Sequence, residues 1–351
     1  MKTKLWRVNE QWDEAKLLDD PSIQEAAALI QQGRLVAFPT ETVYGLGANA
    51  RSGEAVTSIF TAKGRPSDNP LIVHIADTSA LDDWAEMPSQ GTTLLQRFWP
   101  GPLTLVIRHK GTLAQETTAG LTTVGVRIPS HPVARALLRC AAVPVAAPSA
   151  NRSGRPSPTT AEHVWQDLAG RIDGIVDGGM TGVGVESTVV DVTGEVPVLL
   201  RPGGITLDQL RSVVGEVQVD PGLEREGEVP RSPGMKYRHY APHGQMWLVA
   251  GSGDKQRTKV KQLANEAIQQ GKRVAILTTV ENKDAYPTGH VLSLGSRENP
   301  ASVAQGLYAA LRTCDDIGVD IIYAEAFPVE GLYHSVMNRL LKAAEGRIII
   351  D

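Results

Sequence analysis

Short apolar runs, each closed off within a few residues by glycine, proline or charge, set the limits on how this chain can fold. In residues 1–200 they recur at 35–39, 71–75, 103–108, 124–128, 143–147, 175–177, 187–191 and 198–200, a length and spacing that predict strands. Between them, residues 21–32, 51–61, 91–98, 133–140 and 161–168 carry apolar positions at helical spacing, the first opened by Pro21-Ser22 and closed by Gly33. More strands than helices in such an order predict a mixed α/β domain of roughly 200 residues.

The pattern changes after Arg201-Pro202-Gly203. Residues 215–233 are polar and proline-punctuated, as a linker would be, and run into Ser232-Pro233-Gly234-Met235-Lys236-Tyr237-Arg238-His239-Tyr240-Ala241-Pro242. The cations and tyrosines of that block are more than a passive linker needs. Beyond it, strand-like runs at 246–250, 274–278, 321–324 and 348–350 alternate with helical stretches at 258–269, 301–312 and 335–344. That alternation predicts a small, mostly parallel sheet with helices on both faces. The expected boundaries are 15–212 for the first domain, 213–243 for the linker and 244–351 for the second domain. Gly251-Ser252-Gly253 after the 246–250 run reads either as a phosphate loop or as a plain tight turn, and it lacks the third glycine and the acidic partner of a dinucleotide fingerprint.

Composition removes several classes of function. The net charge is -4, residues 1–200 hold 17 Lys and Arg against 21 Asp and Glu, and residues 201–351 hold 18 against 18, so neither half is a polycation for nucleic acid, although a local basic cleft remains open. Two distant cysteines, Cys140 and Cys314, support neither a disulfide framework nor a clustered metal site. The polar start predicts no secretory leader, no stretch reads as a membrane span, and the cytoplasm is the expected address.

The chemical candidates sit mostly in the first half. Lys63-Gly64-Arg65-Pro66, followed by Asn69-Pro70-Leu71, joins two cations to rigid turns before an apolar strand, a placement that suits a carboxylate or polyphosphate. Residues 39–46 (Pro-Thr-Glu-Thr-Val-Tyr-Gly-Leu) put hydroxyls and a carboxylate at a strand exit, and Ser149-Ala150-Asn151-Arg152-Ser153-Gly154 follows the 143–147 run with short hydroxyl and amide donors beside cations. Arg127 and Arg201 end strands just before prolines, Ser187 follows a glycine-rich turn, and His74 lies inside an apolar strand. Taken singly each also fits an ordinary role: a solvated turn, an exposed loop arginine, a strand-edge hydroxyl, a satisfied core histidine.

Together these segments, with Trp99-Pro100-Gly101-Pro102-Leu103-Thr104, Arg127-Ile128-Pro129 and Glu186-Ser187-Thr188-Val189, resemble the threonylcarbamoyl-adenylate synthases, the YrdC-like family, in their long two-domain form. The resemblance covers nearly the whole chain. It implies a twisted mixed-sheet YrdC-like domain followed by a small Rossmann-like one. It also implies an enzyme that turns L-threonine, bicarbonate or carbon dioxide, and ATP with Mg2+ into threonylcarbamoyl-adenylate and pyrophosphate. A separate transferase would then modify the adenosine beside the anticodon of tRNA. By matching motif positions, Lys63 and Arg65 become the catalytic cations, and Thr40, Lys63, Arg65, His74, Ser149 and Ser187 the threonine and bicarbonate contacts, with His74 as a donor. Lys63, Arg65, Asn69, Arg127, Ser149, Asn151, Arg201, Tyr237 and Arg238 become the ATP contacts, the last two from a linker that closes over the cleft. Magnesium would be held mainly by the ATP phosphates rather than by protein ligands. Two other readings remain at this point. One is a non-catalytic double-stranded RNA-binding or regulatory protein. The other is a carbamoyltransferase of hydrogenase maturation, which should bring cysteine-rich zinc motifs that this sequence lacks.

Overall fold

The computed structural model describes residues 2–9, 11–67, 69–224, 240–251 and 253–350. The chain divides into two compact units. Among the described residues, the first falls within Met1–Ser153, Ser157–Gly182 and Glu186–Lys236, and the second within Gly154–Pro156, Val183–Val185 and Tyr237–Asp351.

The strands of the first unit are β1 (Lys4–Arg7), β2 (Val36–Phe38), β3 (Gly45–Asn49), β4 (Ile72–His74), β5 (Ala85–Glu86), β6 (Leu103–His109), β7 (Thr123–Arg127), β8 (Val145–Ala146), β9 (Gly174–Asp177), β10 (Thr188–Asp191), β11 (Val198–Arg201) and β12 (Gln218–Val219). They form one mixed sheet in the order β1-β9-β2-β3-β8-β4-β7-β6-β10-β11-β12, with β5 added on β6. The helices are α1 (Glu14–Leu18), α2 (Pro21–Gln31), α3 (Gly53–Lys63), α4 (Ser89–Phe98), α5 (Gln115–Thr118), α6 (Pro132–Ala141), α7 (Ala161–Leu168), α8 (Leu207–Val214) and α9 (Pro221–Glu224).

The period of two along a strand decides what each face of this sheet holds. Val73, Leu105, Val126 and Val190 enter the large core with Ile59 and Phe60 of α3. Their neighbours Ile72 and Val189 join Leu200 in a small separate cluster, with Val106 and Val198 half-buried against it. That second face is where the polar candidates gather.

Helix α3 shows how the sequence places one of them. Ser52 caps it by accepting from Ala55 N–H, Ala55, Val56, Ile59 and Phe60 form its buried stripe, and Gly64 stops it at φ 64°. Lys63 is therefore the last helical residue and not part of a turn, as the reading of a helix over 51–61 implied. Three other departures have equally local causes. Residues 45–49 form a strand despite two glycines, because a Cβ on Gly47 would lie 2.8 Å from the Phe38 ring. In β1 only Trp6 points inward, which hides the strand among polar residues. Helix α8 rests on a Thr206/Gln209 capping box just ahead of the expected linker.

The second unit contains β13 (Gln245–Val249), α10 (Gly253–Gln269), β14 (Val274–Thr278), β15 (His290–Ser293), α11 (Pro300–Asp316), β16 (Ile321–Glu325), α12 (Gly331–Ala343) and β17 (Ile348–Ile349). Its sheet runs β15-β14-β16-β13-β17 and every pairing is parallel. Strand β15 went unread because it has no buried residue. No helix among the described residues is long and apolar enough to cross a membrane.

Two glycines separate backbone preference from steric need. A Cβ on Gly64 would meet nothing within 4 Å, whereas one on Gly203 would lie 2.2 Å from the Thr188 nitrogen and 2.4 Å from the Ser187 carbonyl carbon. In urea unfolding, Gly64→Ala should cost about 1–2 kcal/mol through its left-handed conformation. Gly203→Ala should cost about 3 kcal/mol or more, because backbone has to move. Equal costs would show that the approach at Gly203 is slack.

Candidate active site

Six adjacent strands, β8-β4-β7-β6-β10-β11, deliver the polar candidates. Strands β4 and β7 run parallel with His74 directly opposite Arg127, so both side chains leave the same face. Thr104 of β6 lies opposite Val189 of β10, and Ser187 precedes that strand with the same parity. A register irregularity between Val189 and Val190 sets Val189 opposite Arg201 while Val190 pairs with Leu199. This bulge lets consecutive residues of β11, Leu200 and Arg201, serve the same side.

Lys63 is 3% exposed. Its Nζ donates to the Ser149 carbonyl at 2.5 Å and the Asn151 carbonyl at 2.6 Å, with Asn151 Oδ1 at 3.4 Å. The Ser149 hydroxyl donates to Asn151 Oδ1 at 2.5 Å. Burial, then the neighbouring Arg65 charge, hold the lysine's pKa well below its ordinary value, and Asp167 pushes it back up. A bridge between Gly45 and Ser149 sets this loop beside residues 40–44.

In that neighbouring loop the Thr40 hydroxyl lies 2.7 Å from the Thr42 hydroxyl and donates to the Val43 carbonyl at 2.7 Å. Arg127 is also buried: its guanidinium donates to the Thr42 hydroxyl at 3.0 Å and pairs with Glu41, whose other oxygen accepts from Ser130 N–H at 3.2 Å. Arg127 Nε is buried without a hydrogen-bond partner among the described residues. This is a donor that an anionic ligand would satisfy.

Burial, and secondarily the Arg127 charge, push the His74 pKa down to about 3, so the ring is neutral near pH 7. Its Nδ1 is 3.2 Å from the Ile72 carbonyl, which can only accept, so Nδ1 carries the proton and Nε2 offers a lone pair. In that tautomer Nε2 is an acceptor, the reverse of the donor role expected from sequence. At the far strands, Arg201 donates from Nε and a terminal nitrogen to the Ser187 carbonyl at 3.1 and 3.0 Å, and from the terminal nitrogen to the Ser187 hydroxyl at 3.2 Å. That hydroxyl is 2.8 Å from Thr104 Oγ1.

The candidates therefore resolve into three linked groups: Lys63 with Ser149 and Asn151, Arg127 with Thr40 and next to His74, and Ser187 with Arg201. Asn69 is buried just before β4 and Arg65 is half-buried just after α3. Tyr237 and Arg238 lie outside the described residues. Asp167, Thr42 and the Ser157–Glu186 pair (2.6 Å) were not singled out from sequence. Thr42 and Glu186 stood inside quoted motifs, whereas Asp167 carries no local signal.

In the second unit, β14 leads away to β15 and β16 to β17 in opposite directions, so their carboxyl ends form the crevice where open α/β sheets take ligands. Glu325 fills it. The fully buried carboxylate accepts from Thr278 at 2.7 Å, Tyr286 at 2.5 Å, Asn282 at 3.0 Å and Arg297 at 2.8 Å.

A family profile described as Telomere recombination matches residues 28–203, and one described as Threonylcarbamoyl-AMP synthase, C-terminal domain, matches residues 205–345. The threonylcarbamoyl-AMP synthase of Bacillus subtilis (strain 168) is 54% identical, over 99% of this chain and 100% of the relative. That of Pyrococcus abyssi (strain GE5 / Orsay) is 47% identical, over 95% and 96%. The crystal structure of P. abyssi Sua5 complexed with L-threonine is similar with a TM-score of 0.92 at 46% identity, covering 99% of this chain and 100% of that one.

A histidine held down to about 3, against 6.5 when exposed, contributes stability that is complete above pH 6.5 and is lost as the pH falls toward 3. The slope is about 1.4 kcal/mol per pH unit. His131, held at about 4 mainly by burial, adds a slope of its own. Urea unfolding between pH 4 and 7 should therefore show a shallower dependence in His74→Gln than in the parent, and superimposable dependences would show that His74 titrates normally.

Proposed function

We propose that this chain, which belongs to the threonylcarbamoyl-AMP synthase family, joins L-threonine, bicarbonate or carbon dioxide, and ATP into L-threonylcarbamoyladenylate and pyrophosphate. The product supplies a separate transferase that forms N6-threonylcarbamoyladenosine beside the anticodon of tRNA. The observation that carries the reading is the burial of cations beside hydroxyls in the first unit, Lys63 against the 149–151 loop and Arg127 and Arg201 at strand ends beside Thr42 and Ser187. A non-catalytic RNA-binding role is not favoured, given full-length relatives named as synthases.

The chemistry makes that convergence intelligible. The threonine nitrogen adds to carbon dioxide and loses a proton, giving a carbamate. A carbamate oxygen then attacks the α-phosphorus of ATP, and the bond to the bridging oxygen breaks as pyrophosphate leaves. Nucleophile and electrophile are both anionic, so preorganised positive charge and alignment matter more than a protein nucleophile. Lys63 and Arg65 neutralise the threonine carboxylate, the carbamate and adjacent phosphate oxygens. Thr40, Ser149 and Ser187 orient threonine and bicarbonate, with the His74 Nε2 lone pair accepting from threonine. Arg127, whose Nε has no hydrogen-bond partner among the described residues, joins Arg201, Asn69 and Asn151 on the nucleotide.

Magnesium enters with ATP as part of the substrate, where it offsets phosphate charge. Glu41 and Glu186 are engaged by Arg127 and Ser157, and no group of three or more His, Cys, Asp or Glu side chains among the described residues could hold a metal. Such an ion would be held largely by phosphate oxygens. The proposed domains are 15–212 for catalysis and 244–351 for a Rossmann-like unit. Between them lies the stretch 213–243, whose Tyr237 and Arg238 fall outside the described residues.

Purified protein given ATP, magnesium, bicarbonate and L-threonine should release pyrophosphate and form an adenylate with the mass of threonine plus one carboxyl unit. Omitting threonine or chelating magnesium should abolish both. The Lys63→Ala/Arg65→Ala variant should lose at least about 100-fold in rate, the scale on which a preorganised charge contact acts. A folded protein that makes no such adenylate under any of these conditions refutes the assignment.

A further inference from the structure

Asp167 stands in the last turn of α7 and is 2% exposed. A carboxylate there is disfavoured twice, by loss of water and by the negative end of the helix dipole. Something outside the helix must account for it. Its Oδ2 accepts from the Arg152 backbone N–H at 3.2 Å, one residue beyond the Asn151 carbonyl that receives the Lys63 ammonium. Ammonium and carboxylate thus grip the same short loop, residues 149–152. Among the described residues, the charged groups that act on Lys63 are Arg65, directly after α3, which disfavours its charge, and Asp167 from α7, which favours it. The Arg152 side chain is exposed.

We propose that Asp167 is a positioning residue for the reaction: it fixes the 149–152 loop and supplies the negative charge against which the buried Lys63 ammonium remains a cation when substrate anions arrive. It needs no contact with substrate. The inference rests on Lys63 being a substrate-binding cation, as assigned under the proposed function.

The test is the pH dependence of kcat/KM for threonylcarbamoyl-adenylate formation in the parent, Asp167→Asn and Asp167→Glu. Lys63 loses its proton as pH rises, and removing the carboxylate lowers the pH at which it does so. In Asp167→Asn the alkaline limb should therefore move to lower pH by about one unit, the size of effect a close opposite charge has, with kcat/KM at alkaline pH about tenfold lower. Asp167→Glu should restore most of the parent profile. An Asp167→Asn profile that overlays the parent's overturns the inference while leaving the synthase assignment intact. A parent that makes no product overturns that assignment instead. If Asp167→Asn alone does not fold, Lys63→Met combined with Asp167→Asn must fold, since the ammonium deprived of its counter-charge is then gone. A double variant as unstable as the single one also overturns the inference.

Discussion

The interaction on which the site depends is the burial of the Lys63 ammonium against two main-chain carbonyls. Taking an ammonium out of water costs several kcal/mol unless its protons are met, and here Ser149 and Asn151 meet them. The same residue is tied at its other end, because its carbonyl accepts from Ser153 N–H at 2.9 Å. Helix α3 and the loop after β8 are thereby locked together, and the loop in turn bridges to Gly45 and the hydroxyl-bearing turn behind it. Arg127 is set independently, by its register opposite His74 and by Glu41 and Thr42. Each cation is thus anchored by its own set of partners.

Much of this was legible in the chain itself. Runs such as 103–108 and 274–278 are short and mostly apolar, and they became β6 and β14. Arg127 and Arg201 were expected at strand ends, where they are found, and the fold class follows from the same alternation. What the chain concealed was chemistry decided at long range. Gly45–Asn49 is a poor strand by propensity and is one because Phe38 and β8 leave room for nothing larger. Trp6 alone reveals β1. Asp167 looks like any helical carboxylate until Lys63, more than a hundred residues earlier in the chain, packs beside the loop it holds.

His74 shows a subtler limit. An imidazole in an apolar strand can be read equally as a donor or as an acceptor, since which nitrogen carries the proton depends on the partner of the other. The Ile72 carbonyl, two residues back along the same strand, gives Nδ1 an acceptor for its proton, and burial, with the adjacent Arg127 charge second, keeps the ring neutral. Residue type indicated that this position was polar. Only the placement of one carbonyl gives the polarity its direction.

The carboxylate of Glu325 carries a consequence for the second unit as a thermodynamic object. Many open parallel sheets leave the crevice at their switch point for a nucleotide, and their melting then rises with the concentration of that nucleotide. Here Thr278, Tyr286, Asn282 and Arg297 already converge on Glu325 in that position. The contacts that tie these strand ends together come from within the chain, at a local concentration that dilution cannot change.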